Sequence, residues 1–173
     1  MNKKLLSVLI GLLFIVAVGY ANTALANAQD ANPIDEAFAK DFQEAHSTVE
    51  TNYVAEKYMQ AWKAELANIA VVTKGKYQYD EDKDRIDAYV AAYEKVAAAA
   101  VYVEWLRWSD TDAPPAGRHF GTGAASGGLL AKAQIYKQAT LNLVTSYQRN
   151  SAAGSYVYLY SGNGAELAKR RAE

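Results

Sequence analysis

From Ile34 to Ile69 apolar residues recur at steps of three and four, and neither proline nor glycine interrupts them. Phe38, Phe42, Ala45, Val49, Ala55, Met59, Trp62, Leu66 and Ile69 form the stripe, and Asn52 is its one polar member. A period near 3.6 held over that length specifies amphipathic helix. It permits one long helix, or two with a bend near His46–Thr51, where Ser47 and Thr48 weaken helix propensity. Asn52 reads as a partly exposed or hydrogen-bonded core residue. Thr73-Lys74-Gly75-Lys76 closes the segment, with Gly75 where a left-handed cap would sit.

Two more helical stretches follow. The first opens on Asp80-Glu81-Asp82-Lys83-Asp84 and carries Ile86, Tyr89, Val90, Tyr93, Val96, Ala97, Ala100 and Val103 on one expected face. The alternating acids faintly resemble a calcium loop, but Arg85 stands where such a loop needs glycine and Ala91 where it needs glutamate. Acids at a helix start are favoured by the backbone dipole in any case. The helix runs to Val101–Asp110, a stretch holding Trp105 and Trp108, and Pro114-Pro115 prevent an immediate restart. Gly121–Gly128, G-T-G-A-A-S-G-G, reads as a connecting loop. It lacks the lysine and hydroxyl that a phosphate-binding loop places after its last glycine, and no strand pattern precedes it. The next stripe is Leu129, Ala133, Tyr136, Thr140, Leu143, Val144 and Tyr147. Tyr156–Tyr160, Y-V-Y-L-Y, is too short for periodicity to choose among strand, helical turn and irregular tail packed on the bundle.

The N-terminus reads as a secretory leader. Lys3 and Lys4 precede an apolar run from Leu5 to Val18, and Ala24-Leu25-Ala26 offers a small-x-small cleavage site, with Ala26-Asn27-Ala28 as a second. The run is short against the roughly 20 residues of a membrane-spanning helix. Cleavage after Ala26 removes two lysines and no acids, so the formal charge moves from −1 to −3. Residues 27–173 are then expected to form one helical domain with a poorly defined tail from about 150, exported to the periplasm or beyond, with no membrane span. A mildly acidic chain lacks the basic stripe that nucleic-acid binding needs. No cysteine is present, which removes disulfides, thiol catalysis and cysteine-ligated zinc from consideration.

Chemistry is sparse. The two histidines are His46, with Glu50 one turn later, and His119, beside Arg118. A single histidine and one carboxylate form a solvated contact more readily than a metal site. No serine occupies a nucleophile elbow, and no carboxylate pair is marked out for acid–base work, so neither an enzyme nor a cofactor is expected. Tyrosine is abundant, thirteen in all. Together with tryptophan it contributes large apolar area, few rotors and a polar handle, which suits core and interface alike. Trp105 and Trp108 share a face rotated from the 86–103 stripe, so something must cover that face or it stays open.

Several segments resemble the LprI-like lysozyme-inhibitor domain family, small exported helical proteins. Asn52-Tyr53-Val54-Ala55 follows the family's asparagine and cysteine-alanine pair, and Trp62-Lys63-Ala64-Glu65-Leu66 its alanine-aspartate, x-glutamate-leucine segment. Trp105-Leu106-Arg107-Trp108-Ser109-Asp110 follows its tryptophan, aromatic, arginine-aspartate signature. Gly121-Thr122-Gly123-Ala124 and the helix after it complete the order. The match spans roughly residues 47–148. The family's cysteines are replaced, one of them by Ala113, and Ser109 stands for its arginine. The helical stripes point to an all-α antiparallel bundle of three to four helices, and the resemblance implies Asn52, Ala55, Glu65 and Leu66 as structural positions. With no catalytic constellation in the residues, the resemblance implies a binding role in which a lysozyme-like hydrolase or another envelope protein is the partner. Trp105, Arg107, Trp108, Asp110, Gly121 and Gly123 are the candidate contacts. The alternative is a structural or chaperone-like envelope protein acting through an exposed aromatic patch.

Overall fold

A computed structural model describes residues 32–109, 112, 114, 117–149 and 155–160. The expected leader, and the tail apart from 155–160, lie outside the described residues. Among the described residues four helices make up an all-α bundle: α1 (Pro33–Glu44), α2 (Thr48–Lys74), α3 (Asp80–Leu106) and α4 (Ala124–Arg149). All four belong to one compact unit that begins at Pro33. α4 packs along both α2 and α3, and α1 lies against α2. Among the described residues no helix is long and apolar enough to cross a membrane.

The long first stripe divides into α1 and α2, and local chemistry explains where. Ser47 is extended (φ −127°, ψ 158°) and caps α2. Its Oγ accepts the Glu50 N–H at 3.2 Å, and Glu50 Oε2 accepts the N–H groups of Ser47 and His46, both at 2.9 Å. This reciprocal capping box satisfies donors at a helix start that would otherwise be orphaned. Glu50 is therefore committed to the backbone, and those bonds lower its pKa. Pro33 opens α1, where its missing N–H costs nothing.

Gly75 differs from expectation. It is right-handed (φ −61°, ψ −14°), and its N–H reaches Val71 O at 3.0 Å. Lys76 and Tyr77 N–H groups then bond to Thr73 and Lys74 carbonyls at 3.0 and 3.1 Å. The last carbonyls are thus met by tight three-residue bonds, which need no left-handed residue.

The face of α3 also differs. Ile86 and Ala97 are buried, and Tyr89, Val90 and Tyr93 are partly so, but Val96 and Val103 face outward, Val103 with 61% exposed. The inward line is 86, 90, 93, 97, 101. Alanines and valines surround this helix almost evenly, so periodicity alone could not select between adjacent apolar lines.

Trp62, Tyr136, Phe38, Ile34, Leu66 and Ile69 fill the core. Among them lies Glu65, fully buried on α2. The Tyr156 hydroxyl donates to its Oε1, the Leu159 N–H donates to Oε2 at 3.0 Å, and Asn68 Nδ2 donates to the Tyr156 oxygen at 2.6 Å. Hydrogen bonds to an ionised acceptor are the strong class. This set resolves the alternatives for 156–160: the segment is irregular, and it is held on the bundle. Tyr160 continues the attachment with its ring 6.2 Å from that of Phe38. A second polar tie joins α1, α2 and α4, where Asp35 accepts from Tyr58 at 2.6 Å and from Lys137 at 2.5 Å.

Burial, and then the Glu65 carboxylate, push the Tyr156 hydroxyl far above the tyrosine range. Burial and Asp35 do the same at Tyr58, and burial chiefly raises Tyr89 to about 12. The unfolded chain would ionise these phenols near pH ~10 while the fold keeps them protonated. Their contribution is therefore complete below about pH 10 and is lost as pH rises beyond it. Denaturant titrations should show stability holding from neutral pH to about 10 and falling above. Tyr156→Phe should cost about 1–2 kcal/mol at neutral pH and flatten the alkaline fall.

Candidate functional site

The α3–α4 corner is built from two indoles and a helix that begins almost without side chains. α4 starts at Ala124, so Ala124–Gly128 is helical and the expected loop narrows to its first residues. Ordinary propensity disfavours this, since each helical glycine costs about 1 kcal/mol relative to alanine. Close packing of the tryptophans is what compensates. A β-carbon at Gly123 would come within 2.7 Å of the Trp108 ring. One at Gly127 would lie 3.2 Å from Trp108 Nε1, and one at Gly128 only 2.6 Å from Trp105 Nε1 and 3.0 Å from Val101 Cγ1. A fully covered indole keeps about 150–250 Å² from water. With Trp108 half covered and Trp105 more so, the pair removes at least one ring's worth of area, about 4–6 kcal/mol at ~25 cal/mol/Å². That exceeds the propensity cost of Gly127 and Gly128.

The chain leaving α3 returns beside itself. Ser109 pairs with Phe120 in an antiparallel bridge, and the Gly121 N–H reaches Trp108 O at 3.0 Å. The Phe120 ring lies 5.4 Å from that of Trp105. Trp105 Nε1 is buried with no hydrogen-bond acceptor among the described residues, because it is directed at Gly128.

Trp108 is oriented differently. Its Nε1 donates to Glu104 Oε1 at 3.1 Å, while Arg107 Nη1 donates to Glu104 Oε2 at 2.9 Å. The Arg107 bond first, and the Trp108 bond second, lower the Glu104 pKa and keep the carboxylate charged. One indole face lies on the glycines, and 45% of the residue stays exposed. Beside it is an open depression of about 350 Å³ lined by Glu104, Trp108, Gly123, Ser126, Gly127 and Leu130. Its one carboxylate is already engaged by Arg107 and Trp108, which leaves an apolar surface with a fixed rim.

Of the candidate contacts, Trp105, Arg107, Trp108, Gly121 and Gly123 are brought together, and Asp110 lies outside the described residues. Glu104, Gly127 and Gly128 also belong to the corner, beyond the expected contacts. Their signal was the spacing of a carboxylate one turn before Trp108 and a glycine pair before an apolar helix. The family positions lie elsewhere, on α2: Ala55 and Leu66 are in the core, Glu65 holds the 155–160 segment, and Asn52 is half-buried with an Oδ1 that has no donor among the described residues.

No protein-family model, curated protein or solved structure matches this chain. The corner is therefore read from its own geometry. Gly123→Ala should displace the half-exposed Trp108 ring outward at a cost of about 1 kcal/mol, since a surface ring can move. Acrylamide quenching of tryptophan emission should rise accordingly, and unchanged quenching would mean the ring does not rest on that glycine.

Proposed function

We propose that this is an exported, non-enzymatic protein-binding domain whose contact surface is centred on Trp108. The observation that carries the reading is a tryptophan held in one orientation by Glu104 and the glycine shelf while nearly half of it faces solvent. A fixed indole contributes apolar area to an interface without losing much rotamer freedom on binding, which is the chemistry of interface hot spots. Phe120 and Leu130, both exposed nearby, extend the apolar surface. The resemblance to LprI-like proteins supports a lysozyme-like hydrolase as the partner class. Shared architecture alone does not carry an activity, so inhibition is the sharper form of the proposal and is tested separately.

A second reading rests on the outward face of α3. Ala88, Ala92, Val96, Ala99, Tyr102 and Val103 leave an apolar line open there, and small residues let a second helix approach closely. Such a face favours self-association in a structural envelope role.

Protein at micromolar excess should lower the turnover of at least one lysozyme, and Trp108→Ala should weaken binding at least tenfold, about 1.4 kcal/mol or more. Full activity across several lysozymes removes inhibition from the proposal. Sedimentation that shows concentration-dependent association, abolished by Val103→Asp and unaffected by Trp108→Ala, would select the second reading.

A further inference from the structure

The hairpin of α1 and α2 encloses a groove that is separate from the tryptophan corner. It measures about 520 Å³, within the ~300–1,000 Å³ usual for binding pockets. Phe38 and Val54 contribute apolar surface, and Val49 and Tyr53 form its lips at 78% and 54% exposure.

The charges on the groove are sorted. Asp41 and Glu44 from the end of α1 and Glu50 from the start of α2 gather where the hairpin turns. Lys57 stands two turns further along α2, about 10 Å away by helical rise, with its ammonium 5.6 Å from the Tyr53 ring. Glu50 is held in place by the capping box. Both of its backbone bonds fall on Oε2, so Oε1 keeps its acceptor capacity while the side chain is fixed. Glu44 meets Lys40 at 3.5 Å with both side chains largely exposed, a pair worth little and easily exchanged.

We propose that this groove docks a basic amphipathic segment of a partner protein, an arginine or lysine followed by apolar residues. The cation sits among Asp41, Glu44 and Glu50, and the apolar side chains lie against Val49, Tyr53 and Val54. Lys57 sets the direction, because it repels a cation placed at the far end. The span from Glu50 to Lys57 is about 10 Å, the length of about three extended residues. A short peptide therefore matches the groove better than a lone cation, and the charge pattern selects a basic one.

The test is chemical-shift titration of the purified full chain with acetyl-Arg-Leu-Leu-amide, acetyl-Glu-Leu-Leu-amide and acetylarginine methylamide. The arginine peptide should shift resonances of residues 38–57 and bind at least tenfold more tightly than the glutamate peptide. Acetylarginine methylamide should bind more weakly than the tripeptide, since it lacks the apolar part. Glu50→Gln with Asp41→Asn should weaken binding several-fold while leaving the fold intact, because glutamine still serves a capping box. Tyr53→Ala should weaken it independently. Equal binding of the glutamate peptide, equal binding of the lone arginine derivative, or shifts mapping outside 38–57 would overturn the proposal. So would binding that appears only after residues 161–173 are removed, which would make the chain's own Lys169-Arg170-Arg171 the occupant.

Discussion

The approach of α3 to α4 is set by two indoles lying on glycines that carry no side chains, Gly123 just before α4 and Gly127 and Gly128 in its first turns. α4 is the element against which both α2 and α3 pack, so its distance from α3 controls how the core closes. Any β-carbon at Gly128 would meet the Trp105 ring and Val101 inside normal contact distance, and interiors at crystal-like density have little slack for that. Glycine is costly in a helix, and here the cost is offset by aromatic area that no other residue type would allow so close. In a chain without cysteine this packing joins the two helices across the connection between them.

A different device holds the other end of the sequence. A fully buried carboxylate is expensive unless strong donors meet it. Glu65 is met by a tyrosine hydroxyl and by the backbone N–H of Leu159, both from the 155–160 segment. Glutamate on the inner face of α2 therefore requires the segment to be present. Tyr156 and Tyr160 place their rings in the core at the same time. Polar specificity and apolar burial act on the same six residues, which is why an irregular stretch can stay attached without helix or strand.

Much of the architecture was legible from residue spacing. The stripe from Phe38 to Ile69 marks α1 and α2, and the weak helix propensity of Ser47 and Thr48 marks where they can part, though not the capping box that Ser47 forms with Glu50. Leu129 to Tyr147 marked the buried face of α4. What stayed hidden has identifiable causes. Periodicity puts Val96 and Val103 on the wrong side of α3, because apolar residues surround that helix. Local propensity makes Gly127 and Gly128 a loop, and only the long-range partners Trp105 and Trp108 reverse that preference. The resemblance implies a structural place for Glu65, but residue spacing does not show what it holds, since its donors lie some ninety residues away. The candidate site was legible in its aromatic residues and illegible in its support, because Glu104 and the two later glycines acquire meaning only through contact.

A double-mutant cycle between Trp105 and Gly128 tests the central claim most directly. If the indole is the reason for the glycine, Gly128→Ala should destabilise the protein while Trp105 is present. In a Trp105→Ala background the same change should be neutral or stabilising by up to about 1 kcal/mol, the ordinary helix preference for alanine. Costs that simply add, within about 0.3–0.5 kcal/mol, would show that the two residues are not coupled and would contradict the account.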